Sequence, residues 1–211
     1  MGEDKLWTNV DGRPLIALTL DAVAAADSFD LVVIVAPHAR RQRIHEMAAE
    51  AGLQRVEVTD GGDSRQESVA AGLALCREAE VVCVHDAARP LAPPGLFAAV
   101  IEAALRNGAA TAAIPCVDTV KQVSGTHVVG TLDRSKLVAT QTPQAFRTEL
   151  LIRAHESAAE EVFTADDDAA LVERLGSLVV VVPGDQRNLK VTTRLDLALL
   201  RTLMTVDGTT S

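Results

Sequence analysis

Short valine- and alanine-rich stretches alternate with stretches of helical period along almost the whole chain, and this alternation limits the fold more than any other feature. Leu31 to Val35, Val56 to Val58, Val81 to Val84, Ala109 to Ile114 and Leu178 to Val182 read as strands. Pro14 to Ala26, Ala39 to Ala51, Arg65 to Cys76, Pro94 to Asn107, Thr148 to Ser157, Asp166 to Leu175 and Thr193 to Leu203 read as helices. Strands separated by helices need crossover connections, so the pattern predicts an α/β fold: a mostly parallel, doubly wound sheet with helices on both faces. Pro14 and Pro94 suit first helical turns, and Gly52, Gly108 and Gly176 suit helix ends. Aromatic residues make up only 2% of the chain, which fits helices packed on a valine-rich sheet better than a β-sandwich. With 211 residues and neither a repeat nor a linker, the chain reads as a single domain over 1–211 ending in a frayed tail from Val206 to Ser211.

The charge narrows the function. A formal net charge of -9 argues against nucleic acid or an anionic membrane as the main partner, so an anionic substrate must be gripped by a local basic cluster. Three cysteines, Cys76, Cys83 and Cys116, are too few and too scattered for a disulfide framework or a metal site of the CxxC kind. Cys83 and Cys116 lie in apolar runs and read as small core residues. No run approaches the ~18 apolar residues of a membrane helix, and the charged start does not read as a signal peptide, so a cytoplasmic location is expected.

The segment from Asp118 to Ala139 breaks the alternation. It combines β-forming residues, Gly125 and Gly130, and the charges of Lys121, Asp133, Arg134 and Lys136, and reads as an extended hairpin arm. Such an arm has little core of its own; its expected support is a second copy of the chain, with a solvated surface hairpin as the alternative.

Chemistry gathers after the strands. The run Val81-Val82-Cys83-Val84 ends in His85-Asp86-Ala87-Ala88-Arg89-Pro90, which puts a carboxylate and a guanidinium beyond the carboxyl end of a strand, where open α/β sheets bind ligands. Asp86 suits a divalent metal and Arg89 a phosphate; read alone, the run is also an ordinary turn with a capping acid. In Asp60-Gly61-Gly62-Asp63-Ser64-Arg65, paired glycines let the backbone approach a flat ligand, and Asp63 and Ser68 suit hydrogen bonds to a base. Lys190, in Asn188-Leu189-Lys190-Val191-Thr192, follows the strand ending at Val182 and offers a point charge for a phosphate. Thr140 to Gln144 reads as a polar proline turn with spare hydroxyls and amides. Thr164 reads as the cap of a helix whose first turn holds Asp166, Asp167 and Asp168, and it is also placed to face a ligand.

Taken in order, GGDSRQESV, VHDAARP, DTV, LDR, TQTPQAF, FTADDDAALV and NLKVTTRLDL resemble the pattern of the 2-C-methyl-D-erythritol 4-phosphate cytidylyltransferase family, from about Lys5 to Leu200. The resemblance implies a Rossmann-like nucleotidyltransferase fold with a hairpin dimerisation arm. It also implies Mg²⁺-assisted condensation of CTP with 2-C-methyl-D-erythritol 4-phosphate, pyrophosphate release, and a homodimer, in the non-mevalonate route to isoprenoid precursors. Carried across, Gly62, Asp63 and Ser68 read cytosine, while Asp86 lies by the metal and the ribose or phosphates. Lys5 stabilises the transition state. Lys190 and Arg134 position the incoming phosphate, Arg134 coming from the neighbouring subunit's arm. Arg89, Thr119, Thr142 and Thr164 complete the sugar-phosphate pocket.

The chain departs from the family pattern at its start. Family members open with a strand and a glycine-rich loop, roughly Ala-Ala-Gly-x-Gly-x-Arg-Met-Gly, before the lysine matched by Lys5; here Met1-Gly2 stand where that loop ends. The expectation is a start codon set too far downstream. In a doubly wound sheet the first strand is central, so its neighbours are expected to lack ladder partners. Two alternative functions are carried: a ribitol 5-phosphate cytidylyltransferase, and a non-catalytic dimeric binding protein.

Overall fold

The computed structural model describes residues 3–208. A 3₁₀ turn over Glu3–Trp7 leads into a short antiparallel pair, β1 (Asn9–Val10) and β2 (Arg13–Pro14), and then α1 (Leu15–Ala26). β3 (Val32–Val35), α2 (Arg41–Glu50), β4 (Val56–Thr59), α3 (Arg65–Leu73), β5 (Val81–Val84), α4 (Pro94–Asn107) and β6 (Ala109–Pro115) alternate as expected. The hairpin of β7 (Lys121–Ser124) and β8 (His127–Thr131) follows, then β9 (Val138–Arg147), α5 (Thr148–Glu160), α6 (Asp168–Arg174), β10 (Val180–Pro183) and α7 (Arg194–Gly208). α7 runs on into the expected tail; Met1, Gly2 and 209–211 lie outside the described residues. No described helix is long and apolar enough to cross a membrane.

β9 is the main correction. The segment read as a polar proline turn is the middle of a ten-residue strand, antiparallel to both β5 and β6 and inserted between them. Proline removes a ladder hydrogen bond and argues against a central strand. Here the register slips: Thr111 faces Gln144 and Ala112 faces Gln141, so Thr142 and Pro143 bulge out of the pairing with β6, across a cis Thr142–Pro143 bond. The larger sheet therefore runs β10, β6, β9, β5, with β10 parallel to β6.

The sheet is split. β3 pairs in parallel with β4 alone, and β5 pairs with β9 alone, so each keeps one edge without a strand among the described residues. All residues of β3 and β5 are half-buried, whereas Ala109 to Ala113 of the two-sided β6 are buried. The helical layers continue past the break: α1 packs on both α2 and α4, and α3 packs on β3 and α5. An edge-to-face contact of Phe29 and Phe97, centroids 5.7 Å apart, adds to this. The expected lack of ladder partners in the middle of the sheet is thus present.

Helix ends follow the local chemistry. Pro94 opens α4 at its first position, while Pro14 stands one residue earlier, as the extended N-cap of α1. Gly108 ends α4 with φ 96°, a backbone angle that side chains rarely tolerate. α6 starts at Asp168, and its cap is Asp167, whose carboxylate accepts from the Ala170 N–H at 2.9 Å; Thr164 does not cap it.

Candidate active site

The carboxyl ends of β4, β5 and β10 meet at Asp86. Its carboxylate lies 2.8 Å from Lys190 Nζ, 3.4 Å from Arg65 Nε and 3.5 Å from Arg89 Nε, with 12% of the side chain exposed. Burial favours the neutral acid, but Lys190, Arg65 and Arg89 outweigh it and hold Asp86 below the usual carboxylate range. Burial pulls Arg89 down from its ordinary value against the pull of Asp86. Three cations around one carboxylate leave an excess of positive charge, which in an acidic protein marks a place for an anion.

Buried polar bonds set these groups. The Asp86 N–H donates to Thr142 Oγ1 at 2.9 Å, and Thr142 Oγ1 lies 3.2 Å from His85 Nδ1. His85 Nε2 lies 3.1 Å from the Arg89 carbonyl. Arg89 Nη1 donates to the Asn188 carbonyl at 2.7 Å, and fully buried Asn188 donates through Nδ2 to the Thr142 carbonyl at 2.9 Å. The Val191 N–H donates to the Ala88 carbonyl at 2.8 Å. The Lys190 loop is thereby pinned, on both sides of Lys190, to the loop carrying Asp86 and to β9.

The Gly62 loop is shaped by a capping box. Ser64 Oγ accepts from the Glu67 N–H at 3.1 Å, while Glu67 Oε2 accepts from the Asp63 N–H at 2.6 Å and the Ser64 N–H at 3.3 Å. Gly62 donates to Ser68 Oγ at 3.2 Å; a Cβ on Gly62 would lie 2.4 Å from that of Glu67, so no side chain fits. Gly62 and Asp63 are exposed, leaving the loop open to a ligand.

Sequence reasoning overlooked Arg65, Asp168 and His155. Asp168 is fully buried, 2.8 Å from Arg65 Nη1 and 3.0 Å from His155 Nε2, rather than a solvated first-turn acid. The available signal was that Asp168 falls on the apolar side of α6, among Ala169, Leu171 and Val172. Gln66 joins the 163–165 loop to α3, donating to the Phe163 carbonyl and accepting from the Ala165 N–H, both at 3.1 Å. Thr164 stands exposed in that loop.

The sequence model of the 2-C-methyl-D-erythritol 4-phosphate cytidylyltransferase family matches residues 1–206. The chain belongs to this family. It is 39% identical over 204 residues to the 2-C-methyl-D-erythritol 4-phosphate cytidylyltransferase of Geobacillus kaustophilus, covering 96% of this chain and 90% of that one. The enzyme of that name from Prochlorococcus marinus is 44% identical over 203 residues, covering 94% and 90%. A crystal structure of 4-diphosphocytidyl-2C-methyl-D-erythritol synthase from Anaerococcus prevotii superposes with a TM-score of 0.88 at 30% identity, covering 96% and 94%. The fold is therefore that of the Rossmann-like nucleotidyltransferases.

Within this cytidylyltransferase frame, Asp86, Arg89, Lys190 and Thr142 come together, and Gly62, Asp63 and Ser68 form the loop beside them. The Thr142 hydroxyl is committed to Asp86 and His85. Among the described residues, no hydrogen bond or ion pair joins the remaining candidates to this cluster. Lys5 sits in the first 3₁₀ turn and is half-buried. Thr119 is exposed at the base of the arm, and Arg134 donates through Nη1 to the Val117 carbonyl of its own arm at 2.5 Å.

Proposed function

We propose that this cleft joins CTP to 2-C-methyl-D-erythritol 4-phosphate, giving 4-diphosphocytidyl-2-C-methyl-D-erythritol and pyrophosphate. The observation that carries the reading is Asp86 encircled by Lys190, Arg65 and Arg89 at the carboxyl ends of the strands. A phosphate oxygen of the polyol phosphate attacks the α-phosphorus of CTP; the bond from that phosphorus to the α–β bridging oxygen breaks, and pyrophosphate leaves with the electron pair. A phosphate dianion needs no base, so the chain has only to align two anions and offset their repulsion. Lys190 and Arg89 hold the incoming phosphate, Gly62, Asp63 and Ser68 read the cytosine, and Thr164 closes the sugar pocket.

A lone carboxylate among cations suits Mg²⁺ that arrives on the triphosphate, with Asp86 as one protein oxygen ligand. Among the described residues no three His, Cys, Asp or Glu side chains gather into a metal cage. When bound, Mg²⁺ neutralises phosphate charge. Taking up this role requires Asp86 to share itself between Lys190 and the metal.

The partner proposed for the arm is a second copy of the chain. Val123, Val128 and Val129 are about 60% exposed on a two-stranded hairpin with no core beneath it, a surface that calls for cover. In such a dimer Arg134 and Thr119 serve the partner's cleft. Three free cysteines fit the reducing cytoplasm.

The test is pyrophosphate release by the purified chain with CTP, Mg²⁺ and 2-C-methyl-D-erythritol 4-phosphate, with ribitol 5-phosphate in parallel. Turnover that prefers the methylerythritol substrate supports the reading. Preference for ribitol 5-phosphate reassigns the substrate, and no release with either overturns the transferase reading of this chain.

A further inference from the structure

We propose that Arg65 is a nucleotide-contacting cation of the cleft, and that the buried Asp168 and His155 are positioning residues that hold its guanidinium for the phosphates of a nucleoside triphosphate. The inference rests on the transferase reading above and deepens it.

Three elements converge to hold one side chain. Arg65 opens α3 directly after the Gly62 loop; Nε reaches Asp86 at 3.4 Å and Nη1 reaches Asp168 at 2.8 Å. Asp168, at the start of α6, is completely buried and is itself held by His155 of α5, 3.0 Å away. Burying a carboxylate is costly unless it is paired, and a well-packed apolar residue would brace α3 against α6 at least as cheaply. What the charged arrangement adds is a planar guanidinium fixed along two of its edges by carboxylates. The Arg65 side chain remains 34% exposed, between the loop suited to a base and the carboxylate suited to a metal. Burial opposes its charge, but Asp168 and Asp86 outweigh this and hold the guanidinium above its ordinary value. Arg65, Arg89 and Lys190 against Asp86 and Asp168 leave one net positive charge, the sign an incoming triphosphate requires.

The closing experiment titrates Mg²⁺ and CTP into the full chain by calorimetry, alongside steady-state kinetics with both substrates. Arg65→Ala is expected to weaken CTP binding roughly ten- to hundredfold and to leave KM for the polyol phosphate within about twofold. Arg65→Lys, which keeps the charge and loses the fork, is expected between the two. Asp168→Asn and His155→Gln are expected to weaken CTP binding in the parent chain and to add nothing in the Arg65→Ala background, because they act through Arg65. If Asp168→Asn fails to fold, His155→Gln and Arg65→Lys carry the test. The surface variant Arg43→Ala serves as control.

CTP binding unchanged by Arg65→Ala, or the same Asp168→Asn loss with and without Arg65, overturns the inference while normal turnover leaves the transferase reading standing. A parent chain that binds CTP through Arg65 but turns over neither polyol phosphate overturns the transferase reading alone. A parent chain that binds no CTP overturns both.

Discussion

Thr142 Oγ1 accepts the Asp86 N–H at 2.9 Å and lies 3.2 Å from His85 Nδ1, so one hydroxyl joins the backbone at Asp86 to the imidazole. The hydroxyl hydrogen is free to be given to Nδ1, so Nε2 carries the proton and donates to the Arg89 carbonyl at 3.1 Å. A neutral His85 satisfies every partner; a second proton at Nδ1 would reverse the Thr142 bond, the hydroxyl then accepting from Nδ1, so burial is what opposes the charge. Burial, partly offset by the Arg89 carbonyl and by Asp86, lowers the His85 pKa from 6.5 to about 4.

The pH dependence follows from the sign of that shift. Between pH 6.5 and 4 the unfolded chain binds a proton at His85 that the folded chain refuses, so stability falls as pH drops across this window. The loss approaches about 3 kcal/mol. The Asp86 contribution is present above its ordinary value of 3.8 and is lost only below it, outside the window. Urea unfolding from pH 7 to pH 4.5 should show a steep decline in the parent chain and a flatter one in His85→Asn. Equal slopes would sink the assignment.

The α/β alternation, the arm and the loops bearing Asp86, Gly62 and Lys190 were all legible because each depends on local pattern: apolar runs, capping residues and glycine pairs. β9 was not, because Pro143 argues against a central strand and only the slipped pairing of Thr111 and Ala112 makes room for it. Asp168 was not, because an acid in a first helical turn has a sufficient local explanation. Its partners Arg65 and His155 lie on α3 and α5, so only tertiary packing brings the three together. The same holds for Asn188, whose buried amide ties β9 to the Lys190 loop.

Lys190 is half-exposed and bound to Asp86, which also keeps Arg65 and Arg89 nearby. Removing it should therefore spare the fold and remove charge where the transferring phosphates meet. For Lys190→Met we expect a melting temperature close to that of the parent and a fall in kcat/KM of roughly 10²–10³, the range seen when one positioned donor is lost from a transition state. Thermal melts and pyrophosphate-release kinetics on the same preparation check both parts; a kcat/KM within threefold of the parent would remove Lys190 from the proposed mechanism.

If Arg134 acts across a dimer, two disabled chains should repair each other. Asp86→Asn damages the cleft and leaves the arm, while Arg134→Ala damages the arm and leaves the cleft. A mixed dimer then contains one site with an intact Asp86 and an intact Arg134 from the other subunit. Mixing the two inactive variants under conditions of subunit exchange should restore turnover, and the double variant Val128→Asp, Val129→Asp should abolish both dimer and rescue. Mixtures no more active than the separate variants would place Arg134 outside the neighbour's site.

The split sheet predicts unequal stability across one fold. β6 has a ladder on both sides, to β10 and β9, and its residues Ala109 to Ala113 are buried under α4. β3 has one ladder, to β4, and its four residues are half-buried. Opening β3 and β4 away from β5 breaks no strand pairing between the two sheets, since none exists among the described residues, and costs the helix and side-chain contacts that span the break, those of α1 and α3 and the Phe29–Phe97 pair among them. Amides of β3 and β4 should therefore exchange through a local opening, at least roughly a hundredfold faster than those of β6 and β9, which need global unfolding. Native-state hydrogen exchange read strand by strand would measure this directly. Uniform protection across all of these strands would mean that the helical layers alone weld the two sheets into one cooperative unit.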